Sequence, residues 1–459
     1  VAEESWNEAR LIPTSGINGA EEAERRATSA LLAVMSAVKE FGRALVQPLG
    51  APAGALQTFI EVPFSLGERR LYPDGLIRCA RGQRSWTALV EVKTGTNELQ
   101  RDQLEAYLEI ARSQGYDCVI TISNEISPAA GVHPTTVDKR LLKKVALHHW
   151  SWSQVLHEAV MQKEHRGVAD PDQAWILGEL IRYLEHPRSG ALELDDMGPG
   201  WVPLREAVTA GTLRASDKAL PQVTARFDAL LRFASLRLGR NLGTDVTPAL
   251  SRRELSDPGL RAQALSSSLV SSGVLDGAIR IPGTVAPLTI EVDLRSGRIT
   301  CAVEVEAPKE GRQTTRVNWL VRQLKSAPED VRVEASSVRS RGPGAVALLR
   351  AVREDPSVLV EDPQRDLKAF RIARTSPMGS KRGRGRGSFI DSVLAAVEDF
   401  YGDVVQHLKA WSAAPPRLRE PVEELPTHSA LDSNALSSQD GAEVAVDGAG
   451  DLAAPGQTV

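Results

Sequence analysis

The chain has 459 residues, 42% hydrophobic and 25% charged, with a formal net charge of -4. This is enough for two or three globular domains, each with its own core, and it is an ordinary soluble composition. Net charge does not advertise nucleic-acid binding, although an acidic segment can mask a basic cleft in the sum. Three scattered cysteines, Cys79, Cys118 and Cys301, argue against both a disulfide scaffold and a zinc-spaced group. The N-terminal VAEESWNEAR is acidic and polar, so no signal peptide is expected, and no apolar run approaches the roughly 20 residues that span a bilayer. A cytoplasmic protein without a membrane partner is the expectation.

In chain order, residues 17–49 carry a helical stripe of Ala27, Leu31, Val34, Val38 and Phe41, stopped by Pro48 and Gly50. TFIEVPFSL from Thr58 reads as a strand, Tyr72-Pro73-Asp74-Gly75 as a turn into LIRCA, and SWTALVEVK from Ser85 as the next strand. A helix carrying Leu99, Gln103, Tyr107 and Ala111 ends at Gly115, and YDCVITISNE follows as a buried strand. From Leu141 an apolar run leads into a helix starting near Ser151 or Ser153. These elements predict an α/β domain over residues 1–165, a mixed sheet flanked by helices. Residues 166–200, with a helix from Asp172 to Glu185, form an appendage to it or a bridge.

The second half predicts an α+β accessory domain over 201–375. Helical pattern fills Trp201 to Gly239, and PLTIEVDLRSGRITCAVEVEAP from Pro287 forms a hairpin turning at Ser296-Gly297. A helix (TTRVNWLVRQL) and a strand (VRVEASSV) come next. Residues 376–419 comprise a basic loop, GSKRGRGRG, and a helix from Ser388. In that loop Lys381, Arg382, Arg384 and Arg386 alternate with glycines that let a backbone follow phosphates, and Arg312, Arg316 and Arg322 could extend the basic surface. Solvated loop and DNA-holding module are equally open readings. Residues 420–459 contain no Lys, Arg or aromatic residue and read as a disordered acidic tail.

One strand poses a chemical question. Glu91 and Lys93, two residues apart, share a strand face. A solvated ion pair is the simple answer. Asp74 just upstream, with Gln103 and Tyr107 one turn apart on the next helix, offers another. Two converging carboxylates suit a hard divalent cation, and phosphodiester hydrolysis uses such a cation to activate water and neutralise developing charge. A lysine beside them can orient the water or stabilise the phosphorane.

This set resembles the PD-(D/E)xK nuclease superfamily, restriction-endonuclease-like in fold: Pro73-Asp74 resembles its PD element and Glu91-Val92-Lys93 its ExK element. Gln103-Leu104-Glu105-Ala106-Tyr107 resembles the QxxxY motif of the RecB-like branch, although that branch usually carries Asp where this chain has Glu91. The resemblance covers residues 17–150. It implies that Asp74, Glu91 and the Val92 carbonyl hold Mg²⁺ or Mn²⁺ and that Lys93 is catalytic. Gln103 and Tyr107 would position the site and the nucleic acid. An acidic residue of the N-terminal helix would join the metal, Glu24 being the candidate and Glu21 the alternate. The activity implied is a metal-dependent nuclease acting on DNA in processing, repair or defence, in many such folds as a homodimer. No P-loop is present, so any motor would be a separate partner protein. The alternative is a nucleic-acid-binding or assembly protein on the same fold with little cleavage. Trp86, Trp150 and Trp152 read as packing residues, and His133, His148, His149, His157 and His165 lack ligand spacing.

Overall fold

The structure, a computed structural model, describes residues 7–8, 20–127, 131–191, 194–339 and 344–413. The expected acidic tail lies outside them. They begin with the short strand β1 (Asn7–Glu8), followed by helices α1 (Ala20–Ala37) and α2 (Lys39–Val46) and by strand β2 (Ala55–Ile60). The single helix expected to Leu49 is broken: Val38 adopts an extended conformation at the start of α2. The turn is tight, because a Cβ on Gly42 would lie 2.2 Å from the Met35 carbonyl oxygen. Only glycine fits there.

A small hairpin, β3 (Phe64–Leu66) with β4 (Arg69–Leu71), precedes β5 (Gly75–Arg81) and β6 (Arg84–Val92). Then come α3 (Arg101–Gln114), β7 (Cys118–Ser123), β8 (Ala146–Ser151), α4 (Trp152–Val160) and α5 (Pro171–Glu185). The sheet order is β1-β2-β5-β6-β7-β8. β5 pairs antiparallel with both β2 and β6, whereas β6–β7 and β7–β8 are parallel. A parallel neighbour needs a crossover, and α3 supplies it between β6 and β7. The mixed sheet expected for the first half is thus observed.

β6 is buried on both faces, as a central strand covered by helices must be. Val90 and Val92 pack with Leu31, Val34 and Trp152 on one side, while Leu89 packs with Leu104, Tyr107 and Leu108 of α3 on the other. By strand alternation Glu91 and Lys93 follow Leu89 onto the α3 side. Ser151 caps α4 by accepting from the Gln154 amide, and Asp170 caps α5 ahead of Pro171. Leu177, Leu180 and Leu184 of α5 join the first core, so this helix packs on the first half.

The second half contains α6 (Trp201–Thr209), α7 (Leu220–Leu242), β9 (Thr247–Pro248), α8 (Arg252–Ser256) and α9 (Pro258–Ser272). Strands β10 (Val274–Arg280), β11 (Leu288–Asp293) and β12 (Arg298–Glu306) lead to α10 (Gln313–Gln323). The rest is β13 (Arg332–Ser337), β14 (Ala345–Leu348), α11 (Leu349–Glu354), β15 (Leu367–Pro377) and α12 (Phe389–Asp403). Its sheet runs β14-β13-β15-β12-β11-β10-β9, with antiparallel pairing throughout. Along β11, Leu288, Ile290 and Val292 are buried while Thr289 and Glu291 face solvent, the alternation of a strand with one solvated face. Helix α12 buries Phe389, Val393, Val397 and Phe400 in this second core, and Trp201 stacks on Phe389 with ring centroids 4.2 Å apart. Residues 376–403 are therefore integral to the second core. Ser388 caps α12 by accepting from the Asp391 amide. Its replacement by alanine is expected to cost about 1 kcal/mol, read as a lower denaturant midpoint at unchanged slope. Among the described residues no helix is long and apolar enough to cross a membrane.

Candidate active site

Five sequence-selected residues meet where β5 begins and β6 ends. Asp74 stands immediately before β5, and its Oδ2 accepts a 2.7 Å hydrogen bond from the Val92 amide. The sequence pointed to the Val92 carbonyl as a ligand; in the structure it is the Val92 N–H that engages the site, fixing the Asp74 carboxyl. Glu91 is 1% exposed. The Lys93 ammonium lies 2.7 Å from Glu91 Oε1 and 3.6 Å from Glu24 Oε2, so helix α1 does contribute a carboxylate. The side chain of Glu21 is outside the described residues. Glu24 is held in turn by Asn97 Nδ2, 2.5 Å from Oε1, and by a long 3.4 Å contact from the Thr94 amide.

On α3, Gln103 Nε2 donates to the Tyr107 hydroxyl at 3.0 Å, and that hydroxyl donates to the Tyr72 carbonyl at 3.3 Å. Spacing of four residues puts both side chains on one helical face, and the face they serve is the turn carrying Pro73 and Asp74. These two residues therefore position the Asp74 turn. Removing the hydroxyl with Tyr107→Phe is expected to cost about 1 kcal/mol in urea unfolding and to leave the core packing intact.

Sequence reasoning missed three supports. Asn97 and the Thr94 amide restrain Glu24, and nothing in the TGTN turn marks them for it. Trp152 Nε1 donates to the Lys93 carbonyl at 2.9 Å, a contact from a helix far along the chain. The turn after Lys93 is also latched from behind. The Gly95 amide donates to the Gly190 carbonyl at 2.8 Å, and Asn124 Nδ2 donates to the Gly95 and Gly190 carbonyls at 2.8 and 2.9 Å. Gly190 has φ +78, and a Cβ there would lie 2.8 Å from Thr94 Cβ, so the latch needs glycine.

The electrostatics follow from burial. Desolvation raises the Asp74 pKa against the pull of the Val92 amide and the Lys93 charge. Desolvation, then the Asp74 charge, pushes Glu91 up to about 8. Two buried carboxyls this close cannot both ionise cheaply, so the pair retains a proton at neutral pH. Burial, the largest single effect, disfavours the Lys93 ammonium, but Glu91, Asp74 and Glu24 together outweigh it and the net shift is upward. Burial, then Glu91, also raises the Tyr107 hydroxyl, which stays protonated.

Among the described residues no group of three or more His, Cys, Asp or Glu side chains is arranged to hold a metal ion. The Lys93 ammonium stands between Glu24 and Glu91 instead. The donor chemistry of the Asp74–Glu91 pair nonetheless fits a hard divalent cation, because both Glu91 oxygens are buried and, while Oε1 meets the Lys93 ammonium at 2.7 Å, Oε2 has no hydrogen-bond donor among the described residues. A buried carboxyl of that kind is balanced by a proton or by a cation.

The other candidates are placed as follows. In the basic loop Arg382 pairs with Asp196 at 3.1 Å and Arg384 with Asp391 at 2.6 Å, while exposed Lys381 and Arg386 make no ion pair among the described residues. Backbone bonds from Met197 to Arg382 and from Arg384 to Asp195 pin the loop down. Arg316 does not extend a basic surface: it is 7% exposed, pairs with Asp366 at 3.0 Å and donates to the Lys309 and Gly311 carbonyls. Trp86, Trp150 and Trp152 are buried packing residues, as read. His157 and His165 contact the Leu236 and Arg240 carbonyls of α7.

No protein-family model matches the chain, and neither a curated protein nor a solved structure matches it. The class the fold and site define is a mixed α/β protein with two cores and a buried, lysine-bearing carboxylate cluster.

Proposed function

We propose that the chain is a metal-dependent nuclease with a restriction-endonuclease-like first half, hydrolysing phosphodiester bonds in DNA. The observation that carries this reading is the convergence of Glu24, Asp74, Glu91 and Lys93 from three separate elements, with the Glu91 carboxyl buried against the Lys93 ammonium. Asp74 and Glu91 would hold Mg²⁺ or Mn²⁺, with Glu24 at the edge of the set. The cation would supply activation of water and neutralisation of phosphate charge. Lys93, kept as an ammonium, acts by electrostatic stabilisation of a phosphate oxygen rather than by taking a proton. Gln103 and Tyr107 hold the Asp74 turn in register. Lys381 and Arg386 are the basic-loop cations open to phosphates.

The second reading, a nucleic-acid-binding protein with little cleavage, is favoured by one observation: Lys93 stands between two of the carboxylates that a cation would share. A digestion panel separates the two. Linear, circular and single-stranded DNA and RNA are incubated with Mg²⁺, Mn²⁺ or a chelator, beside a Lys93→Ala chain. Cation-dependent cleavage lost in the variant supports the nuclease. Retained binding with no cleavage under any cation supports the second reading.

A further inference from the structure

A second polar site lies between the two cores. A cavity of about 170 Å³ is lined by His133, His148 and His149 of the first half and by Arg232 of α7, with Ser127 and Gln154 completing its polar wall. At about 30 Å³ per water, it has room for roughly five, or for one tetrahedral oxyanion with a little water.

Its groups divide into two sets. His133, Thr121 and His149 are internally satisfied. His149 Nε2 donates to the Glu125 carbonyl at 2.8 Å, so its Nδ1, unprotonated in the neutral ring, accepts from Thr121 Oγ1 at 2.8 Å. Thr121 Oγ1 also lies 2.8 Å from His133 Nε2, and His133 Nδ1 lies 2.9 Å from the Thr135 carbonyl oxygen and 3.0 Å from the Thr135 amide. Burial, the first cause for both rings, lowers their pKa, that of His149 to about 4, which keeps this chain of bonds neutral. It forms a rigid wall.

The second set has donors to spare. Arg232 makes no ion pair or hydrogen bond among the described residues, and burial alone lowers its pKa, with no carboxylate compensating. Ser127 is 7% exposed and its Oγ, buried, has no hydrogen-bond partner. The His148 ring and the Gln154 amide line the same cavity without a side-chain bond of their own among the described residues. A half-buried guanidinium without an anion carries a desolvation cost, and a buried hydroxyl such as that of Ser127 is normally satisfied. A guanidinium fork with hydroxyl, imidazole and amide donors around a small cavity is the chemistry that binds a phosphate group.

We propose that this cavity is a phosphate-binding site in which Arg232 is the principal ligand and Ser127, His148 and Gln154 complete the donor set. The bound group is inorganic phosphate or the terminal phosphate of a small monoester. It would tie β8 of the first core to α7 of the second. The proposal does not rest on nuclease activity, since none of its residues belongs to the Lys93 cluster.

The test titrates inorganic phosphate into the full chain at constant ionic strength, following melting temperature and binding heat, with chloride as the control. Adenosine monophosphate in a parallel arm tells a free anion from a monoester end. Saturable stabilisation by either, weakened roughly tenfold or more in Arg232→Met, is expected. Without ligand, Arg232→Met should be no less stable than the parent, because it removes an unpaired, half-buried charge. Ser127→Ala and His148→Ala, smaller changes, should each weaken phosphate binding several-fold, and they carry the test if Arg232→Met does not fold. Equal phosphate response in parent and variants, or no response beyond chloride, would overturn the assignment.

Discussion

Lys93→Ala is expected to lower cation-dependent DNA cleavage by at least about a hundredfold, the scale of losing one preorganised charge at a reacting centre. The variant should still fold. Removing the ammonium leaves Glu91 buried without its cation, but a carboxyl already pushed up to about 8 answers by keeping its proton rather than by unfolding the strand. Circular dichroism and the melting transition of the variant should therefore stay close to those of the parent while activity vanishes. Undiminished cleavage by a folded Lys93→Ala chain would sink the mechanism.

Glu91→Gln is expected to change the pH dependence of stability. In the folded chain Glu91 titrates at about 8, against 4.5 as its ordinary value. Between these pH values the folded state binds more protons than the unfolded state, so stability falls as pH rises across the window. Glutamine has no proton to lose, and its amide replaces the protonated carboxyl in shape. Above pH 8 the variant should be the more stable chain, by an amount on the order of 3 kcal/mol, with little difference near pH 4.5. Urea unfolding at pH 5, 7 and 9 reads this directly. On the proposed nuclease reading, Mg²⁺ would compete with the proton for the Asp74–Glu91 pair. It should stabilise the parent more at pH 9 than at pH 5 and lose most of that effect in Glu91→Gln. A parent chain whose stability is flat from pH 5 to 9 would show that Glu91 is not held protonated.

Much of this site was legible because its parts are local. Strand alternation alone puts Glu91 and Lys93 on one face, a four-residue step puts Gln103 beside Tyr107, and Glu24 lies in register with the buried stripe of α1. What was not legible depends on partners distant in sequence. The break at Val38 follows from the close approach that Gly42 permits, and no breaker residue marks it. The basic loop looked like free charge because Asp196, which neutralises Arg382, lies on a segment nearly two hundred residues earlier. His133 and His149 have no ligand spacing, yet a threonine on the neighbouring strand joins them. Such pairings are set by the sheet order, which hydrophobic periodicity does not specify.

The Gly95–Gly190 latch has a dynamic consequence. One hydrogen bond, from the Gly95 amide, joins the turn behind Lys93 directly to the chain just beyond α5, and Asn124 bridges the same two segments with two more. That amide can exchange its hydrogen with solvent only when the Gly190 segment lifts away. The exchange rate of a single backbone position two residues from Lys93 thus becomes a clock for the opening of the segment that leads from the first core toward the second.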